Sequence, residues 1–450
     1  MRIDPQRLGS AAFRAAHNAR AAYVLGGMVK GISSVELVRT AARAGYLAFF
    51  GAGGLKPERV REAVAALRDD PGPAAPWGVN FLHNALIPGQ EDALAEVLLA
   101  GGVRCIEASA FVRITPALVR YRLHGLGFAA DGRPVPHQRI LAKVSHPGMA
   151  RRFMLPPPPE IVADLRAANR LTAVEAEAAA ALPLADDICA EADSGGHTDR
   201  RPAFALIPAF LRLRDETARA HPHLSPPRIG AAGGIGAPEA VAAAFVLGAD
   251  FVLTGSINQC TPEAGTSDAV KDLLAAAEAQ DFDMAPAGDL FEIGAKVQVL
   301  KRGTLFAARA NRLFELYRAH ASLEDLPPEV LAELETRVFG RDLDAVWRET
   351  ADYYRQAAPH VLADLGPKQR MAMVFRWYFI HSQRLAQQGD LAGRVNFQIH
   401  CGPAMAACNR WLAGTPWADW RTRHVDTLAD QLLAGAAEVL ARRYADFGAA

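Results

Sequence analysis

Eight short apolar runs, each followed by a longer amphipathic and alanine-rich stretch, recur through roughly the first 255 residues. The runs are Ala22–Leu25, Tyr46–Phe50, Trp77–Phe81, Arg104–Glu107, Arg139–Val144, Asp187–Ala190, Arg228–Ala232 and Asp250–Thr254. Between them lie helix-like stretches such as Ser34–Ala44, Pro57–Arg68, Glu91–Ala100, Pro116–His124, Ala203–Ala218 and Pro238–Leu247. Pro57 and Pro238 stand where a proline suits a first helical turn. Strands alternating with helices across short connections predict a parallel sheet. Eight such units in about 250 residues fit a closed (β/α)8 TIM barrel better than an open sheet. One unit is enlarged: Pro156–Pro159 lead into a helical run from Glu160 to about Ala181, ended by Pro183.

Past residue 256 the strand signal fades. Leu290–Ala319, Pro328–Val338, Leu343–Ala357, Gln369–Gln388 and Thr427–Phe447 read as helical. The expected division is a barrel over 1–290 and a helical subdomain over 291–450. Aromatics crowd the latter, with Phe375, Trp377, Tyr378 and Phe379 almost consecutive. Packing against the barrel wall and contact with a substrate or partner both account for them.

Half of the residues are hydrophobic, 22% are charged, and Lys+Arg equals Asp+Glu at 49 each. Such a chain packs a large core and gives no electrostatic reason to bind nucleic acid or an anionic membrane. No run approaches about 20 uncharged apolar residues, and the opening MRIDPQRLGS lacks an apolar signal region. The five cysteines are few, odd in number and scattered. A soluble cytoplasmic protein is expected. His400, Cys401 and Cys408 lack a second ligand pair at finger-like spacing, so no metal is expected.

Barrel enzymes carry their chemistry at the C-terminal ends of the strands. Those ends are rich in glycine: Gly26-Gly27-Met28 after the first run, Gly51-Ala52-Gly53-Gly54 after the second, Ser194-Gly195-Gly196-His197 after the sixth, Gly233-Gly234 after the seventh and Gly255-Ser256 after the eighth. Glycine lets backbone N–H groups approach a planar ligand or a phosphate. The last two turns, with the helix beginning near Pro238, predict a phosphate site. Neither G-x-G-x-x-G after the first strand nor a Walker pattern is present, which argues against Rossmann and Walker nucleotide sites. Asn80 ends the third run and suits hydrogen bonding to a bound ring. Lys143 ends the fifth, where its ammonium must reach solvent or meet an anion. His197 is the titratable group for proton transfer, with Glu191, Asp193 and Asp199 as flanking acids able to orient it.

Taken together these turns resemble the FMN-dependent nitronate monooxygenase superfamily. The strings ADDICAEADSGGHTDRRP, GADFVLTGSINQCTPEAGTS, FEIGAKVQVLKRGTLFAARANRLFELY and NFQIHCGPAMAACNRW narrow it. They resemble the PfaD family, the trans-acting enoyl reductases of polyunsaturated fatty acid synthases and trans-acyltransferase polyketide synthases. Arg200 and His400 stand where that pattern commonly has asparagine and tryptophan, and Cys408 replaces an aromatic. The resemblance implies reduction of an α,β-unsaturated acyl thioester carried by phosphopantetheine on acyl carrier protein. NADPH would be the hydride donor and FMN the carrier of the hydride to the β-carbon. It implies His197 as the group that stabilises the enolate or supplies the proton, with Lys143 as competitor. Gly27, Met28, Asn80, Ser194, Gly195, Gly196, Gly233, Gly234, Gly255 and Ser256 would cradle the FMN, with Lys143 beside them. Two rivals stand beside this reading: a nitronate monooxygenase on the same flavin, and a non-catalytic protein that docks carrier proteins. A homodimer is the default oligomer.

Overall fold

Continuous apolar runs suit parallel strands because helices cover one face and the barrel interior the other. The computed structural model, which describes residues 3–83, 87 and 89–448, bears this out. Eight strands close into a parallel barrel: β1 (Tyr23–Leu25), β2 (Leu47–Phe50), β3 (Trp77–Leu82), β4 (Cys105–Ser109), β5 (Arg139–Val144), β6 (Asp187–Glu191), β7 (Arg228–Ala232) and β8 (Phe251–Thr254). Closure is direct, since β1 pairs with both β8 (Tyr23 opposite Val252) and β2 (Val24 opposite Leu47). Phe49, Leu141, Cys189, Phe251 and Leu253 fill the interior. The helix Ala11–His17 stoppers the bottom, where Phe13 stacks on Phe251. There the buried Asp187 carboxylate accepts from His17 at 2.7 Å and from Arg228 at 2.6 and 2.8 Å.

The outer helices start where the sequence marks them. Ser34 and Thr115 cap Val35–Arg43 and Pro116–Leu123 by accepting backbone N–H bonds, and prolines open Pro57–Asp69 and Pro238–Val246. The enlarged fifth unit departs from expectation. A helix Pro147–Met154 precedes the prolines, and the expected single run is split into Pro159–Ala167 and Ala173–Ala178. The break lies at Asn169, in the left-handed region at φ 55°.

The region after β8 also holds more than helices. Phe282–Pro286 (β9) pairs antiparallel with Lys296–Leu300 (β10), so this ribbon straddles residue 290 and the helix expected from Leu290 begins only at Phe306. The final helix, Val425–Gly448, packs on Pro238–Val246 and Val35–Arg43. Gly435 lies so close to Pro238 that a Cβ would meet its ring at 2.6 Å. That is the place of the eighth barrel helix, so residues 256–424 lie between β8 and the helix that completes the barrel. The intervening part has its own aromatic core of Phe291, Phe306, Phe339, Phe375, Tyr378 and Phe379. Among the described residues no helix is long and apolar enough to cross a membrane.

Candidate active site

A cavity of about 720 Å3 opens at the C-terminal ends of the strands, roofed by the ribbon and by the helix Pro367–Gln388. Every residue expected to hold the cofactor or do the chemistry lines it: Gly27, Met28, Asn80, Lys143, Ser194, Gly195, Gly196, His197, Gly233, Gly234, Gly255 and Ser256; of the flanking acids Glu191 and Asp193 line it and Asp199 does not. Eight strand ends converge there because the sheet closes.

The cavity floor is a buried polar cluster that the apolar strand pattern conceals. Asn80 donates from Nδ2 to the Glu107 carboxylate at 2.8 Å, the Glu107 backbone carbonyl at 3.3 Å and Ser109 Oγ at 3.0 Å. A backbone carbonyl only accepts, so the Asn80 amide is turned with Oδ1 away from it. That Oδ1 is buried and has no partner among the described residues. Glu107 also accepts from the Gly27 N–H at 3.1 Å, and burial holds its carboxyl above the usual carboxylate range. Lys143 lines the cavity and meets an anion there. Its Nζ donates to Glu191 at 3.1 Å, and although burial disfavours the ammonium, Glu191 and Glu107 more than offset that and raise its pKa.

His197 is oriented by a residue the sequence did not flag. Its Nε2 bonds Asp289 Oδ1 at 2.9 Å, across 92 residues of chain, and Asp289 sits in the turn between β9 and β10. The acids expected to orient it do not bond it. Glu191 holds Lys143 and Ser194, Asp193 accepts from Gln298 at 2.9 Å, and Asp199 bonds Ser145 through its backbone. Burial lowers the imidazole pKa, but the Asp289 bond and charge win and raise it, while Asp289 is held low in return. Nδ1 bonds no other described residue. Histidine is thus charged more readily here than in water, with one N–H left for a ligand.

His400 supports the same turn. Its Nδ1 donates to Gly195 O at 3.4 Å, its Nε2 accepts from Gln398 at 2.6 Å, and its carbonyl accepts from Gln259 at 2.6 Å. Burial, then His197, push its pKa down to about 4. A neutral folded histidine that would charge when unfolded withdraws stability as pH falls from its unfolded value of about 6.5 towards 4, by at most about 3 kcal/mol. His197, raised, contributes fully below about 6.5, and Asp289 loses its contribution only on passing its lowered pKa, so neither masks the trend. Urea midpoints measured between pH 7 and 4 are expected to fall more steeply for the wild type than for His400→Gln; parallel curves would refute this.

The remaining wall comes from the inserted part. Gln298 Oε1, Gln398 Oε1 and Asp193 Oδ1 are buried without partners among the described residues, so a ligand with N–H or O–H donors suits them. Of the aromatic run only Phe379 faces the cavity; Phe375 and Tyr378 are core, and Trp377 stacks on Phe339 and His381. At Gly234 (φ 73°) and Gly255 a Cβ would meet nothing within 4 Å, so these turns leave open space on the cavity wall. The five cysteines are buried thiols, and no group of metal-ligating residues exists among the described residues.

These features define a (β/α)8 barrel of the enzyme type, with a glycine-lined ligand cavity at its strand ends closed over by an inserted ribbon-and-helix part. Comparison with known proteins gives the particular kind. The polyketide biosynthesis protein PksE of Bacillus subtilis is 46% identical over 441 residues, covering 98% of this chain and 57% of that protein. A component of the polyunsaturated fatty acid synthase of a Thraustochytrium species is 42% identical over 418 residues, 91% of this chain and 28% of that one. The crystal structure of the enoyl reductase domain of MlnA, from the macrolactin cluster of Bacillus amyloliquefaciens, superposes with a TM-score of 0.93 at 39% identity, covering 98% of this chain and 99% of that domain. Residues 320–397 match a family described as [acyl-carrier-protein] S-malonyltransferase, inserted helical domain. The chain belongs to the PfaD-like family of trans-acting enoyl reductases of polyketide and polyunsaturated fatty acid synthases. It spans little more than half, or less, of those two curated relatives' own length.

Proposed function

We propose that the protein is an FMN-dependent, NADPH-consuming enoyl reductase acting on α,β-unsaturated thioesters carried by acyl carrier protein. The observation that carries this is one cavity combining glycine turns, an unsatisfied Asn80 acceptor and a readily protonated His197. Its volume falls within the range of about 300–1,000 Å3 of cofactor and ligand pockets. The residues fit a flavin: Asn80 Oδ1 needs an N–H donor such as a flavin ring offers, and open space at Gly234 and Gly255 admits a phosphate chain. Gly27, Met28, Asn80 and the turns at 195–196, 233–234 and 255–256 would hold it. When bound, the flavin supplies hydride for the acyl β-carbon.

The chain's own residues then have separate tasks. His197, held by Asp289, presents Nδ1–H to the thioester oxygen as charge builds there, or gives that proton to the α-carbon. Lys143 is tied to Glu191 and keeps the Ser194–His197 turn in place through the Glu191–Ser194 bond at 3.3 Å. The acceptors on Gln298 and Gln398 suit the secondary amide N–H groups of a pantetheine arm. The test is spectroscopic. Protein as purified, or after incubation with FMN, should carry flavin absorbance that bleaches anaerobically with NADPH and returns on adding a crotonyl thioester. A protein that neither holds nor takes up FMN refutes the reading. Oxygen consumption with a nitronate, without enoyl reduction, would replace it with an oxidase.

A further inference from the structure

Most cations around the cavity are already matched: Lys143 by Glu191, and Arg376 by Glu292. Lys30, on the cavity lining, and Arg384, exposed on the roof helix and outside that lining, are exceptions: among the described residues neither side chain has an ion pair or hydrogen bond. Lys30 lines both the main cavity and an adjoining one of about 400 Å3, where the one carboxylate among the described lining residues, Glu62, is engaged by Arg59. Its place is fixed from three sides. The backbone is left-handed at φ 56°, its N–H donates to Gly53 O at 2.7 Å, and its carbonyl accepts from Gln387 Nε2 at 2.7 Å. The side chain runs over Gly54, where a Cβ would lie 3.3 Å from Lys30 Cγ. Arg384 stands one turn before Gln387 on the same helix and is exposed. Burial, and then Arg384, push the Lys30 ammonium down to about 8. Two elements from distant parts of the chain thus bring Arg384 beside Lys30, with no counter-anion for either among the described residues.

The roof helix relates this pair to the reacting end. Arg376, Phe379, Ile380, Gln383, Ala386 and Gln387 share its cavity face. Phe379 lies against Gly288, next to Asp289 and so to His197. From Phe379 to Gln387 the helix rises about 12 Å at 1.5 Å per residue. We propose that Lys30 and Arg384 hold the phosphate-ester group of a ligand whose reacting end lies at His197. A phosphate supplies the missing countercharge; lysine meets it as a point charge, and arginine through paired N–H donors. This rests on the enoyl thioester reading, in which the pantetheine arm and NADPH each bring such a group.

The experiment is calorimetric titration of the FMN-loaded wild type, Lys30→Met, Lys30→Arg and Arg384→Gln with 4′-phosphopantetheine, pantetheine, NADPH and NADH. The wild type is expected to prefer the phosphorylated member of one pair at least tenfold. Lys30→Met and Arg384→Gln should lose that preference, and Lys30→Arg should keep most of it. Loss within the pantetheine pair assigns the arm, and loss within the nucleotide pair assigns the 2′-phosphate. Preferences unchanged in both variants, or absent from the wild type, overturn the proposal. Phosphate discrimination in a protein that reduces no enoyl thioester would leave this site standing and remove the reading on which it was built.

Discussion

His197→Gln is expected to lower turnover of a crotonyl thioester by about 10²–10⁴-fold, the usual contribution of a positioned acid or base. Flavin reduction by NADPH should persist, because the step lost is the one at the acyl group. The Asp289 partner makes the prediction sharper. Its carboxylate raises the His197 pKa, so the protonated imidazole persists to higher pH than an isolated one. In kcat/KM profiles, activity should fall as pH rises through that raised value. Asp289→Asn should move the alkaline limb to lower pH and reduce turnover less than His197→Gln does. A merely structural role for Asp289 would lower activity evenly without moving the limb. Unchanged turnover in His197→Gln with flavin still bound removes the histidine from the chemistry.

Lys143→Met is expected to destabilise the fold by about 3–5 kcal/mol, the usual cost of leaving a buried charge without its partner. Lys143 and Glu191 are both largely buried, and Glu107 beside them is completely so. Without the ammonium, two carboxylates face each other inside the barrel. Glu107, already held above the usual carboxylate range, would be driven higher still. A carboxyl with a raised folded pKa withdraws stability as pH rises, so the loss should be larger at pH 8 than at pH 5. The double variant Lys143→Met/Glu191→Gln should recover a substantial part of it. Urea unfolding followed by circular dichroism reads both effects, and a single variant as stable as the wild type at pH 8 contradicts the account.

The barrel and its site were legible to different depths. Apolar runs of four to six residues announce strands whatever follows them, so all eight were found within a residue or two of their ends. The glycine turns were legible because closure sends every strand end to one rim. Glu107 had a local signal, a carboxylate inside the apolar run Cys105–Ala108, which could have marked the cavity floor. Asp289 had none, because its partner lies 92 residues away. The ribbon escaped the sequence reading in two ways: β9 gave no strand signal and β10 lies within the stretch read as helix from Leu290, since neither strand alternates, β9 being partly buried at its start and β10 buried over its last four residues.

By itself the sequence determined the repeating strand–helix unit, the number of units and the glycine-bearing turns that end them, since these depend on residues close together in the chain. Only the tertiary structure decided which acid holds His197, that Lys143 is tied to Glu191, and that the chain's last helix completes the barrel. Those outcomes depend on distances between segments up to several hundred residues apart. Such distances are fixed by sheet closure and core packing, which no local pattern records.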